Sequence, residues 1–345
     1  MSNAIAESLF LKACRRQPVE RPPAWMMRQA GRYMPEYQEV RAEAGGFLEL
    51  CLNPPLAARA TLDAQRILGT DAAIIFSDIT LPGQAMGLEL NFAPGPVFSN
   101  PIRTLQDVDA LREVDPERDL GPVLEAIRLT RRGLPPDVSL IGFVGAPFTL
   151  AAYMVEGTPN KNWTAAKAML YGDRPLFKRL LDRLIETLTA HARAQLDAGC
   201  DTVQFFDSHA GELAPPELRE LAFDATARCI HALDRPTAPT IYFPRGAGAH
   251  LEAAADVGCD VLAVDWTVEL ADVVTRVGDR VALMGNLDPM VLLADEATVR
   301  ERTLDVLNAA RGAKGYVFNL GHGIIPPTPV PNAKAVIETV RGFRW

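Results

Sequence analysis

Short, largely apolar runs recur along the chain, and most are separated by stretches whose apolar residues return at helical spacing. The runs lie at 24–27, 72–76, 140–144, 202–206, 240–243, 261–264, 281–284 and 316–318, which gives eight expected strands. Between the first two, Pro54–Leu68 opens on proline and stops before Gly69, as a bounded helix does. Residues 175–198 carry Leu176, Phe177, Leu180, Leu181, Leu184, Ile185 and Leu188 at helical spacing, so a longer helix packs there against a core. Residues 88–98 read as a small hairpin turned at Pro94 and Gly95. Strands alternating with helices, with no Pro/Ser-rich linker or charge block between them, predict an α/β fold: a single-domain (β/α)8 TIM barrel over residues 1–345. A doubly wound open sheet is the alternative.

The residues at the end of each run favour the barrel. MRQAGR, SD, GAPFT, DS, PRGAG, DW, GNLDP and NLGHG all fall at carboxyl ends of expected strands, the end where barrel enzymes assemble their sites. Closure therefore brings Arg28, Asp78, Ser208 and His322 to one mouth, with Tyr153 just after the third strand's turn. Arg28, Arg32 and, further on, Arg41 offer planar forks of donors matched to carboxylates, and together they suggest a pocket for an acidic small molecule. Taken singly, each arginine reads more simply as half of an ordinary ion pair, and Asp78 can be read the same way. A charge straight after an apolar strand is nevertheless costly unless a partner or ligand meets it. His322, bracketed by glycines, reads as a ligand contact or as part of a strained turn. Ser208 has no base near it in sequence and reads as a hydrogen-bond donor, not a nucleophile.

Charge narrows the partners. A net charge of −8 and a pI near 5.3 argue against nucleic acid, so an acidic ligand needs a local basic pocket. No apolar run approaches the roughly 20 residues of a membrane helix, and the N-terminal segment lacks a signal-peptide core, so neither membrane insertion nor export is expected. The five cysteines are odd in number and show no CxxC or Cys/His spacing, which suits free thiols in a reducing cytoplasm and no zinc site.

The stretches PAWMMRQAGRYMPEY, IIFSD, GFVGAPFTLAAYMVEG, FFDSHAG, MGNLDP and FNLGHGI match in order, over nearly the whole chain, motifs of the uroporphyrinogen decarboxylase family, which the sequence resembles. The resemblance implies a (β/α)8 barrel, a homodimer in the cytoplasm, acting in tetrapyrrole synthesis without metal or organic cofactor. It also implies the reaction: the four acetate carboxyls of uroporphyrinogen III are removed to leave the methyl groups of coproporphyrinogen III. By motif position, Arg28, Gln29, Ala30, Gly31 and Arg32 resemble the substrate-binding loop, Arg41 a further basic contact, and Asp78 the aspartate that faces the pyrrole N–H groups. Tyr153, Ser208 and His322 match contacts on the substrate's periphery, and Phe206 a position that packs on the macrocycle. Asp78, Arg28, Tyr153 and His322 form the implied catalytic set. His209 stands where the family often has tryptophan.

Elementary chemistry agrees with that reading. Loss of CO2 leaves an electron pair, and a pyrrole protonated on a ring carbon accepts it without help from a cofactor. Asp78 can stabilise the resulting cation. Gripping the carboxylate that leaves would stabilise the ground state, so firm arginine contacts belong to carboxylates that stay. Arg28 is a candidate proton donor although a guanidinium is ordinarily a weak acid, while Tyr153 and His322 match better in acidity but lie further out. Three rivals remain in view. A cobalamin-dependent methyltransferase on the same barrel needs a zinc-binding His-x-Cys pair, which TIYFPRG at 240–246 does not offer. A sugar-phosphate enzyme would use NLGHGI as a phosphate loop, but no lysine stands at an expected strand's carboxyl end for a Schiff base. A tetrapyrrole-binding protein without catalysis differs only in releasing no CO2.

Overall fold

The computed structural model describes residues 8–92, 95–158 and 160–345. Along them run the strands β1 (Ala72–Ile74), β2 (Leu90–Phe92), β3 (Pro96–Phe98), β4 (Ser139–Gly145), β5 (Thr202–Asp207), β6 (Thr240–Pro244), β7 (Val261–Ala263), β8 (Ala282–Leu287) and β9 (Tyr316–Leu320). One parallel seven-stranded sheet takes them in the order β1-β4-β5-β6-β7-β8-β9. Strand order never reverses, so there is no switch point of the doubly wound kind. β2 and β3 form the expected hairpin, with Leu90 opposite Phe98, although Pro94 of its turn lies outside the described residues.

The run at Ala24 departs from expectation. It makes a single parallel bridge, Ala24 to Phe318 on β9, in place of a ladder. Side chains take the N–H groups that a ladder would use: Ala24 donates to Asp71 Oδ2 (2.8 Å), Met26 to Gln29 Oε1 (3.2 Å) and Met27 to Asn319 Oδ1 (3.0 Å). Backbone bonds from Trp25 to Phe318 and from Asp71 to Ala24 still tie the segment to β9 on one side and to the start of β1 on the other. Asp71 also receives a two-pronged contact from Arg21, at 2.6 and 2.9 Å, and charge-assisted bonds of this kind contribute about 1.5–3 kcal/mol each.

Every residue of β5 and β6 is buried, as expected of parallel strands covered on both faces. One core fills the space inside the sheet, where Trp25, Met27, Ile141, Phe206, Phe243, Met284 and Val317 meet. A larger one lies between sheet and helices. The helix Arg174–Asp197 contributes Leu176, Phe177, Leu180, Leu181, Leu184, Ile185 and Leu188 to it, the face its sequence predicts. Pro54–Leu68 is a helix whose first turn is capped by the Asn53 side chain, and Gly69 ends it in the left-handed region at φ 72°. No helix among the described residues is long and apolar enough to cross a membrane.

His191 on the long helix is 3% exposed, and burial alone lowers its pKa to about 4. A depressed histidine contributes stability above its unfolded pKa and loses it on acidification, because the unfolded chain takes up a proton that the folded chain refuses. His191→Leu should therefore shrink the loss of stability between pH 7 and pH 5 by about 1–2 kcal/mol. Urea unfolding at the two pH values measures this, and an unchanged difference contradicts it.

Candidate active site

Just beyond β1 the chain turns at Asp78, whose Oδ1 accepts from the N–H of Thr80 (2.8 Å) and from its hydroxyl (2.5 Å). Among the described residues Asp78 has no ion pair, and its Oδ2 accepts no hydrogen bond. The ordinary ion-pair reading therefore does not hold for it. Burial raises its pKa, while the Thr80 bonds and the charge of Arg28 act the other way. Thr80 thus fixes one oxygen, and no described residue donates to the other.

Arg28, Arg32 and Arg41 likewise have neither an ion pair nor a side-chain hydrogen bond among the described residues. Most other arginines do, as in the pairs Arg59–Glu43 (2.8 Å) and Arg228–Asp182 (2.7 Å). Arg32 is exposed and Arg41, on the helix Pro35–Ala44, is half-buried, while Arg28 keeps an exposed surface although the surrounding protein partly desolvates its guanidinium. Arg28 takes a left-handed backbone (φ 61°), and its side chain passes over Gly323, where a Cβ would stand 2.6 Å from Arg28 Cγ. Neither Gly321 nor Gly323 has a positive φ, so Gly323 makes room for Arg28 and the strained-turn reading of GHG falls away.

Between Arg28 and Arg32 the backbone N–H groups of Ala30 and Gly31 have no acceptor among the described residues, which suits the loop to anionic oxygen. Gln29 differs from the rest of the loop: Oε1 accepts from Met26, Nε2 donates to Ala72 (3.3 Å), and its carbonyl accepts from Tyr33 (2.8 Å). The polar groups of its side chain and its carbonyl are thus engaged in holding the loop.

Three further elements bring the remaining residues to the same end. Tyr153, on the helix Pro147–Glu156, shares a 3.1 Å hydrogen bond with His209 Nε2, and the Trp163 ring lies 4.2 Å from that imidazole. Burial, and then the Asp78 charge, push the Tyr153 pKa up to about 12, with Arg28 opposing. Burial, then Arg28, Arg245 and His209, bring His322 down to about 3. Burial and the neighbouring positive charges thus favour the neutral imidazole of His322 in the free protein. Ser208 borders a cavity of about 140 Å3 with His209 and Arg245. Phe206, set edge-on against Phe143 and Phe243, belongs to the inner core and is 8% exposed.

Beneath Ser208, Asp207 accepts from Thr149 (2.7 Å) and Tyr242 (2.9 Å), and burial raises its pKa to about 6. Thr149 in turn accepts the N–H of His209 (3.2 Å), so a buried network sets the wall from below. Nothing in the sequence separates Asp207 from any other acid at a strand end. All five cysteines are buried and unpaired, and the described residues contain no group of three or more His, Cys, Asp or Glu side chains placed to hold a metal ion.

A parallel strand array that carries, at its carboxyl end, an acid and arginines with no ion pair among the described residues defines a barrel-like α/β protein. The family model described as uroporphyrinogen decarboxylase (URO-D) matches residues 6–343, and the chain belongs to that family. A uroporphyrinogen decarboxylase from Alkalilimnicola ehrlichii is 47% identical over 344 residues, covering 98% of this chain and 94% of its own. One from Trichlorobacter lovleyi is 45% identical over 331 residues, covering 96% and 97%. Among solved structures, a methyltransferase from Methanosarcina mazei superposes with a TM-score of 0.81 at 22% identity over 97% of this chain and 98% of that one, a likeness of fold.

Proposed function

We propose that the chain removes the four acetate carboxyls of uroporphyrinogen to give coproporphyrinogen and four CO2, with Asp78 as the centre of the reaction. The observation that carries this reading is the state of Asp78: Thr80 holds one oxygen, and among the described residues the other has no partner and no arginine is paired to the carboxylate. A flexible porphyrinogen can cup its four pyrrole N–H groups around that oxygen. Its eight carboxylates then meet Arg28, Arg32 and Arg41.

Each round consumes one proton and releases one CO2. A proton added to the ring carbon beside the one bearing the acetate places positive charge on the pyrrole nitrogen. Cleavage of the CH2–CO2 bond sends its electron pair into an exocyclic C=CH2 bond, which neutralises that charge. The methylene then takes a proton to become methyl, and the ring carbon gives one up to restore the pyrrole. Asp78 acts when the ring is cationic, so its stabilisation is larger in the transition state than in the ground state. Of the candidate donors, Tyr153 is made a weaker acid by burial and His322 holds no spare proton at neutral pH. By elimination we assign the donor's role to Arg28, whose side chain passes over Gly323 beside His322; partial desolvation favours release of its proton and the Tyr153 and Asp78 charges oppose it.

Arg32, exposed and unpaired, serves a carboxylate that stays on the substrate. Arg32→Ala should raise KM about tenfold with little change in kcat; steady-state kinetics decides, and an unchanged KM speaks against carboxylate recognition there. The same resemblance leads us to infer one domain over residues 1–345, the Ala24 segment as the eighth stave of a closed barrel, and a cytoplasmic homodimer without metal, cofactor, nucleic acid or membrane partner. Anaerobic incubation with uroporphyrinogen, followed by oxidation and chromatography, tests the function. A four-carboxylate product is expected, and unchanged eight-carboxylate material would overturn it.

A further inference from the structure

Arg245 follows β6, the strand farthest around the sheet from the Ala24 segment. It is reached in four steps by either route, through β1, β4, β5 and β6 or through β9, β8, β7 and β6. Its backbone is clamped on three sides: the N–H donates to Asp207 O (3.1 Å), the carbonyl accepts from Gly211 (2.9 Å), and the next residue, Gly246, donates to Asp265 Oδ2 (2.6 Å). A Cβ on Gly211 would stand 2.8 Å from Gly246 Cα, so glycine there lets the two loops touch backbone to backbone.

The side chain receives no such attention. Among the described residues the Arg245 guanidinium has neither an ion pair nor a hydrogen bond, and it lies 5.6 Å from the Trp266 ring centre. It borders the 140 Å3 cavity beside Ser208. The two acids on that cavity are already engaged. Asp265 is held by Gly246, by the Thr267 N–H (2.8 Å) and by its hydroxyl (2.5 Å), while Glu212 faces Lys167 at 3.8 Å. Arg245 also acts across the mouth, since it makes protonation of both His209 and His322 less favourable.

We propose that Arg245 is a further carboxylate-binding residue, which takes a peripheral carboxylate of the macrocycle on the rim opposite Arg28, with the Ser208 hydroxyl beside it. The assignment rests on the decarboxylase reading above. A macrocycle with carboxylates all round its edge would otherwise have cations on one side of the pocket only. Stacking on Trp266 uses one face of the guanidinium and leaves its in-plane donors free for carboxylate oxygens.

Two variants with uroporphyrinogen as substrate, and oxidised uroporphyrin as a non-reacting probe followed by fluorescence quenching, test this. Arg245→Met keeps the stem over Trp266 without the charge. It should raise KM and weaken uroporphyrin binding by about tenfold while kcat changes less than about threefold. Arg245→Lys should recover most of the lost affinity, and the salt dependence of binding should be shallower in the methionine variant than in the parent. If KM and probe affinity stay unchanged while the melting temperature falls, Arg245 is only a packing partner of Trp266 and the proposal is overturned. Should the methionine variant not fold, Arg245→Gln takes its place with the same two outcomes. A parent protein that binds uroporphyrin but turns over no uroporphyrinogen would overturn the decarboxylase reading alone, since the probe affinities of the variants would still decide the role of Arg245.

Discussion

Asp78→Asn should fold as the parent does and lose about 10²–10³-fold in kcat, the usual consequence of removing a group aimed at developing charge. Asparagine keeps an oxygen for the two Thr80 donors that now hold Asp78 Oδ1. It replaces the free oxygen with an NH2 group, a donor turned towards donors, so pyrrole N–H groups lose both the acceptor and the charge. Stability should not suffer. Burial raises the Asp78 pKa, which means the ionised carboxylate costs folding free energy at neutral pH, and a neutral amide relieves that cost. The sign also fixes the pH profile: if the ionised form is required, the acid limb of kcat/KM lies above the ordinary carboxylate range and belongs to Asp78. Steady-state kinetics and thermal unfolding of the variant check both parts, and near-parental kcat would remove Asp78 from its role.

The second large effect is expected at Arg28. Arg28→Lys retains a positive charge but loses the planar fork and the reach across Gly323, and kcat/KM should fall about 10²–10³-fold. If Arg28 only bound a carboxylate, the lysine variant would act mainly through KM. As proton donor it should lower kcat as well, because burial shifts the guanidinium towards release whereas an ammonium in its place has different acidity and position. A kcat/KM within about threefold of the parent would contradict both roles.

Much of this was legible in the residues because parallel strands buried on both faces are written as continuous apolar runs. The runs that became β4 to β9 lie within a few residues of where the structure has them. The Ala24 run failed as a ladder for a reason that an apolar pattern does not encode: Asp71, Gln29 and Asn319, distant or polar residues, reach in and take its N–H groups. Strand-end chemistry was equally readable for Asp78, Arg28 and His322, since the fold itself carries them to one mouth. What the sequence hides is whether a charge is satisfied. Arg245 and Arg276 look alike as letters in a chain, yet Arg276 is locked to Glu252 at 2.7 Å and Arg245 has no acid among the described residues. The Tyr153–His209 bond joins residues 56 apart and is invisible for the same reason.

A single-turnover experiment bears most directly on the central claim, that a free carboxylate among unpaired guanidinium groups drives loss of CO2 from a bound macrocycle. With enzyme in excess over uroporphyrinogen and oxygen excluded, the parent should release four CO2 per macrocycle. Over the same interval Asp78→Asn should bind the macrocycle and release almost none. No CO2 from the parent, or four from the asparagine variant at the parental rate, would contradict the account.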